Sequence, residues 1–135
     1  MLHHIEIYVS DLEASRRFYE HFLGRLGYQL YQDWEQGFSL KQQNQYLVFV
    51  QAPQHFLHMG YHRTRIGLNH LAFEVEEDLE ALRQDLLVLG VPLLYEERFL
   101  EAEDPKALYC LDPDGIKLEW LKVEGTSKNQ KYSVI

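Results

Sequence analysis

The stretch HIEIYV, residues 4–9, alternates apolar and polar side chains in the way of a strand with one buried face. SDLE at 10–13 has the Ser-x-x-Glu pattern of a capping box, so a helix should start there. Apolar residues then recur at helical spacing until Gly24 or Gly27 can end the helix. Three further strand-like stretches follow, near 28–34, 37–41 and 46–51. The first half of the chain is therefore predicted to be a β-α-β-β-β unit.

The same order returns in the second half, starting at HLAFEV, residues 70–75. A stripe of leucines from Leu79 to Leu89 predicts a helix that stops at Gly90. Strand-like stretches follow at 92–98, 107–111 and 116–121, the last two joined by the turn sequence DPDG.

This repeat predicts an α+β fold of two βαβββ modules, whose curved mixed sheets close around a central cavity. The modules should span about residues 2–52 and 68–123, within a single domain of residues 1–123. One module alone would leave a sheet face bare, so two should pack together. Residues 124–135 are polar and without a clear period, which predicts a flexible tail.

Composition narrows the class of protein. The chain has 135 residues, with 21 Asp and Glu against 13 Lys and Arg, a net charge of −8. Nucleic acids and anionic membranes bind concentrated positive charge, so neither is an expected partner. A single cysteine, Cys110, excludes an internal disulfide and fits a reducing, cytoplasmic location. A small-molecule substrate is the partner that remains.

Strand parity brings chemically active side chains to one face of the predicted sheets. If the apolar residues of each strand face the helices, then His4, His70 and carboxylates including Glu119 face the other way. Two imidazoles and one carboxylate form a ligand set for Fe, Mn, Zn, Ni or Co as divalent ions. The alternative is that these histidines are simply solvated or structural, as isolated strand histidines often are.

The chain resembles the vicinal oxygen chelate superfamily, and a bacterial branch of it in particular. This superfamily includes glyoxalase I, bleomycin-resistance proteins, fosfomycin-modifying enzymes and extradiol dioxygenases. The resemblance covers about residues 2–123 and lies in the motifs at 4–19, 69–73 and 112–119. By the superfamily's pattern, His4, His70 and Glu119 would be metal ligands, and a homodimer is expected. The resemblance leaves open whether the cavity forms within one chain or between swapped modules of a dimer.

A fourth ligand position in the pattern of glyoxalase I corresponds to Phe49 when the two turns are aligned, and phenylalanine cannot bind a metal. Three ligands agree better with extradiol dioxygenases and fosfomycin thiol transferases, which also resemble this chain in having a tyrosine where Tyr109 stands. The thiol transferases have a threonine where this chain has Glu6, whose charge would repel a phosphonate.

The resulting hypothesis is a divalent-metal-dependent enzyme that acts on a small oxygen-chelating substrate. Tyr109 and Glu6 are the candidates to move a proton, Glu6 on condition that burial makes it a general base. The alternative is a non-catalytic drug- or toxin-binding protein of the bleomycin-resistance type, with a groove lined by Tyr8, Trp34, Phe49 and Glu74. A third possibility is a structural or regulatory domain with a vestigial site.

Overall fold

A computed structural model describes residues 1–123 of the chain. These residues form two compact units. The first consists of residues 1–67 together with Asp112–Ile116, and the second of residues 68–111 together with residues 117–123. The predicted flexible tail, 124–135, lies outside the described residues.

The first unit contains one four-stranded mixed sheet and one long helix. Its elements are β1 (His4–Val9), α1 (Leu12–Gly24), β2 (Gln29–Trp34), β3 (Gly37–Gln42), β4 (Gln45–Gln51) and a 3₁₀ helix (Gln54–Met59). The strand order is β1-β4-β3-β2, in which β1 and β4 are parallel and the other pairs antiparallel. This agrees with the β-α-β-β-β order predicted from the sequence.

Helix α1 begins one residue later than the capping-box prediction. Asp11 is the N-cap, and its carboxylate accepts a hydrogen bond from the Ala14 backbone N–H at 3.1 Å. Ser10 instead donates its backbone N–H to the Asp114 carboxylate. Both residues are good N-caps in isolation, so the sequence alone did not separate them.

The second unit repeats this topology with different lengths. Its elements are β5 (His70–Val75), α2 (Leu79–Val88), β6 (Leu93–Leu94), α3 (Glu96–Glu101), β7 (Ala107–Leu111) and β8 (Lys117–Lys122). The strand order is β5-β8-β7-β6, with β5 and β8 parallel. The predicted strand at 92–98 is wrong: only Leu93–Leu94 pair with β7, and the chain then turns into α3.

Each sheet buries one face against its helices, as the alternation predicted. In the first unit Val9, Tyr19 and Phe49 are fully buried. In the second, Trp120 is fully buried and donates its indole N–H to the Cys110 sulfur at 3.3 Å, so the cysteine is an enclosed core residue. The α+β fold with two four-stranded mixed sheets is confirmed. Among the described residues, no helix has the length and apolarity needed to cross a bilayer.

Candidate functional site

The open face of the second sheet collects the chemically active side chains of that unit. The register pairs Ala72 with Glu119 across β5 and β8, and Tyr109 with Glu119 across β7 and β8. Residues paired in this way point to the same face, and so does His70, two positions before Ala72. Parity thus places His70, Glu119 and Tyr109 on one surface, opposite the core.

His70 and Glu119 touch directly. The Nε2 atom of His70 lies 3.0 Å from Oε1 of Glu119, and its Nδ1 lies 2.8 Å from Oδ1 of Asn69. When the amide oxygen of Asn69 faces the ring, it accepts a hydrogen bond from Nδ1, which then carries the proton of the imidazole. The lone pair of Nε2 would then face a carboxylate oxygen, an arrangement that needs a positive charge between the two atoms, either a second proton or a metal cation.

The geometry of this pair fits a divalent cation. Nitrogen and oxygen ligands lie about 2.0–2.2 Å from such an ion. Two of them in adjacent positions of an octahedron are therefore about 3 Å apart, the separation that His70 and Glu119 show. The Asn69 oxygen behind the imidazole is the kind of outer partner that fixes the tautomer of a metal-binding histidine. Their side chains are 34% and 16% exposed, so the pair remains open to solvent on one side.

Tyr109 hydrogen-bonds to the same carboxylate. Burial, followed by the charge of Glu119 and the hydrogen bond to it, raises the pKa of the Tyr109 phenol above its ordinary value. The phenol is therefore a neutral donor to Glu119 at physiological pH. This places a hydroxyl proton beside the candidate ligand pair.

His4 and Glu6 belong to the first unit, where they lie exposed on the open face of β1. The ring of His4 stacks on Tyr46 with centroids 4.7 Å apart, and its Nδ1 lies 2.8 Å from Nδ1 of His3. Its Nε2 has no hydrogen-bond partner within residues 1–123. Glu6 lacks in this unit the burial on which its predicted general-base role depends. The roles of His4 and Glu6 stay predictions.

Within each unit taken by itself, the described residues contain no group of three His, Cys, Asp or Glu side chains placed to hold one ion. His70 and Glu119 are thus two of the three predicted ligands, and the structure brings those two together.

The prediction that Phe49 occupies the counterpart of Glu119 is wrong by one residue. His4 pairs with Tyr46 and His70 with Lys117, so the position two further along is Val48 in the first unit and Glu119 in the second. Phe49 faces the helix and is fully buried, which also removes it from the predicted binding groove. Aligning turns of different length caused the slip, and a slip of one residue exchanges the two faces of a strand.

Sequence reasoning missed two features beside this pair. Asn69 was part of a quoted motif, yet its contact with His70 was not foreseen. A cluster formed by Tyr95, Arg98 and Lys117 was missed because residues 92–98 were predicted to be a strand. The one signal for this cluster in the sequence was strand parity, which places Lys117 on the same face as Glu119.

Comparison with known proteins places these features in a family. The sequence model of the Glyoxalase/Bleomycin resistance protein/Dioxygenase superfamily matches residues 3–109. The chain belongs to this superfamily. Its relatives include an enzyme and an uncharacterised protein.

One relative is the uncharacterised protein YqjT of Bacillus subtilis, 50% identical, with 87% of this chain and 95% of YqjT covered. A second is the glutathione transferase FosA of Serratia marcescens, 33% identical, with 87% of this chain and 77% of FosA covered. The crystal structure of a glyoxalase-like protein from Bacillus halodurans matches with a TM-score of 0.85 and 45% identity, covering 91% of this chain and 96% of that one.

Proposed function

We propose that this superfamily member is a divalent-metal-dependent enzyme acting on a small substrate through adjacent oxygen atoms. The observation that carries the proposal is the 3.0 Å approach of His70 Nε2 to Glu119 Oε1, with Asn69 behind the imidazole. A ring proton on Nε2 or a bound cation makes this approach favourable, and the donor set is one that transition-metal ions and zinc prefer. A bound cation would supply Lewis acidity, which stabilises developing negative charge on a substrate oxygen.

The residues of the second unit have different roles around this site. Asn69 holds the His70 ring in the orientation that aims Nε2 at the site, and Glu119 supplies the negative charge that a cation needs. The Tyr109 phenol, neutral at physiological pH, is placed to donate a hydrogen bond to a substrate oxygen once Glu119 is engaged by a cation. Thiol addition, as the name of the FosA relative implies, and isomerisation are both compatible with these roles.

The third ligand must come from outside the second unit, because the described residues of that unit supply no further ligand to this pair. His4 is the candidate: its Nε2 is without a hydrogen-bond partner within residues 1–123, and its strand position matches that of His70. It would be contributed either by the same chain or by a second copy. A site within one chain and a homodimer with swapped modules are the two arrangements to test.

Metal analysis tests the ligand set. Protein purified without chelator should contain stoichiometric metal, and His70→Ala, Glu119→Ala and His4→Ala should each lose it. His58→Ala is a matched control, because His58 is an exposed histidine of the 3₁₀ helix with no place in the site. Retention of metal by both His70→Ala and Glu119→Ala would refute the proposed site.

Mixing two variants distinguishes a site that uses His4 of the same chain from one that uses His4 of a second copy. If each site combined His4 of one chain with His70 of another, co-refolded His4→Ala and His70→Ala chains would form heterodimers with one intact and one doubly damaged site. About a quarter of all sites would regain metal, because random pairing makes half of the dimers mixed. A site built within one chain would regain none.

A binding protein without catalysis is the second candidate, and the open face of the first unit favours it. Three large aromatic side chains lie exposed there: Tyr8 at 59%, Tyr31 at 50% and Trp34 at 43%. Such surfaces hold apolar or cationic ligands by stacking. Wild-type protein without metal, together with tight binding of an aromatic cation lost in Trp34→Ala, would favour this function over the enzyme.

A further inference from the structure

Lys117 lies beside the candidate ligand pair but does not contact it. Its ammonium group donates a hydrogen bond to the Tyr95 hydroxyl at 3.1 Å. The same nitrogen lies 5.0 Å from the centre of the Tyr95 ring and 5.3 Å from that of Tyr109. Glu119 points to the same face of β8 two residues away, yet within residues 1–123 no carboxylate oxygen lies within ion-pair distance of Lys117.

A second cation shares the same tyrosine. The guanidinium carbon of Arg98 lies 4.4 Å from the centre of the Tyr95 ring. Arg98 is exposed, and it too has no carboxylate partner among the described residues. Tyr95 and Tyr109 are themselves in edge contact, with centroids 5.0 Å apart. We refer to Tyr95, Arg98, Tyr109 and Lys117 as the Tyr95 cluster.

The absence of carboxylate partners separates Arg98 and Lys117 from several other cations of the described residues, although Lys41 and Lys122 share it. Acidic residues outnumber basic ones by 21 to 13, so most cations should find a carboxylate. Arg16, Arg83 and Lys106 each form a close ion pair. In the Tyr95 cluster, two cations instead lie against tyrosine rings, and one of them donates a hydrogen bond to a phenol oxygen.

The backbone of Tyr95 adopts a left-handed conformation at the start of α3. Its φ of 57° and ψ of 35° lie in the left-handed region, where a non-glycine residue costs about 1–2 kcal/mol. Backbone strain of this kind concentrates at ligand sites. Here it coincides with the point where the chain leaves the two-residue strand β6 and enters α3.

We propose that the Tyr95 cluster is a subsite for an oxyanion group of the substrate, a carboxylate or a phosphate. The charged donors of Arg98 and Lys117 would bind its oxygens, and the two rings would pack against the adjoining carbons. Residues two apart on a strand are separated by about 6.5 Å. A substrate of matching length would therefore carry an oxyanion at one end and chelating oxygens at the other. The claim about chelating oxygens rests on the proposed function, whereas the oxyanion subsite does not.

Equilibrium dialysis of metal-stripped, full-length protein against labelled inorganic phosphate and labelled succinate tests the subsite at low ionic strength. Wild type should bind at least one of the two with a Kd on the order of 1 mM, and their ratio identifies the preferred oxyanion. Arg98→Met and Lys117→Met should each weaken binding about tenfold. Arg98→Lys keeps the charge and should retain most of the affinity. Glu119→Gln removes a neighbouring negative charge and should strengthen binding.

Lys41→Met is the matched control, because Lys41 also lies over a tyrosine ring, with its ammonium 4.2 Å from the centre of Tyr31, but in the first unit. The proposal is overturned if wild type binds neither anion, if Arg98→Met and Lys117→Met bind like wild type, or if Lys41→Met loses as much. A metal-free wild type whose phosphate binding disappears in Lys117→Met would refute the metal-dependent function and support the subsite. Stoichiometric metal without anion binding would support the metal-dependent function and refute the subsite.

Discussion

Replacing Asp112 by asparagine should change how the stability of this protein depends on pH. Asp112 begins the turn between β7 and β8, belongs to the first unit, and is 5% exposed. The Tyr19 hydroxyl donates to its Oδ2 at 2.5 Å, and the backbone N–H groups of Asp114 and Ile116 donate to its Oδ1 at 2.8 Å. Burial outweighs these three hydrogen bonds and raises the pKa of Asp112 from 3.8 to about 6.

The sign of the effect follows from proton binding. Between pH 3.8 and 6 the folded protein holds a proton on Asp112 that the unfolded chain has lost, so stability falls as the pH rises. A shift from 3.8 to about 6, at 1.36 kcal/mol per pKa unit, corresponds to about 3 kcal/mol in total. Of this, about 2 kcal/mol develops between pH 4.5 and pH 8. Asparagine has nearly the same shape, accepts the same backbone hydrogen bonds and carries no charge.

Urea denaturation of wild type and Asp112→Asn at pH 4.5 and pH 8, at one protein concentration, measures the effect. Relative to wild type, the free energy of unfolding of the variant should rise by about 2 kcal/mol between pH 4.5 and pH 8. Asp104→Asn is the control, since Asp104 is an exposed carboxylate of the second unit and has no contact with Asp112. A difference between wild type and Asp112→Asn that is constant over this range would show that Asp112 stays ionised in the folded protein and would refute the reasoning.

Three further predictions follow from single contacts. Asn69→Ala should lower metal affinity about 10–100-fold in metal titrations and leave the unfolding midpoint nearly unchanged, because it removes the outer partner of His70, a proposed ligand. Gly37→Ala should destabilise the protein by about 2 kcal/mol or more in urea melts, since a Cβ there would lie 2.6 Å from the Phe49 carbonyl oxygen. The difference between the ultraviolet titration curves of wild type and Tyr109→Phe should show a phenol that titrates above its usual range. Glu119→Gln should lower the pKa of the Tyr109 phenol.

The parts of the fold that follow from periodicity were predictable from the sequence. Alternation along residues 4–9 places Ile7 and Val9 in the core and leaves Glu6 exposed, as the structure shows. The leucine stripe of α2 is correct through Leu86, although Leu89 lies beyond the helix and is 53% exposed. Regular elements repeat their signal over several residues, so one local error does not change the interpretation.

The features that failed depend on a single residue or on loop geometry. The apolar pair Leu93–Leu94 is too short to distinguish a strand from the start of another element. Tyr95, in the left-handed region, is not a residue that sequence patterns predict there. For the candidate site, parity predicted that His70 and Glu119 share a face, but no pattern predicted their 3.0 Å contact, which depends on register and side-chain rotamer.

Comparison of the two repeats indicates that the proposed site occurs once in the chain rather than twice. Both repeats begin with a histidine on the open face, His4 and His70, and both use the same parallel register. At the position two residues after the partner of that histidine, however, the first repeat has Val48 and the second has Glu119. A divalent cation needs a carboxylate or further donors to offset its charge, and valine supplies none. The internal symmetry that duplicated the histidine therefore did not duplicate the carboxylate, and the proposed site has no counterpart in the first repeat.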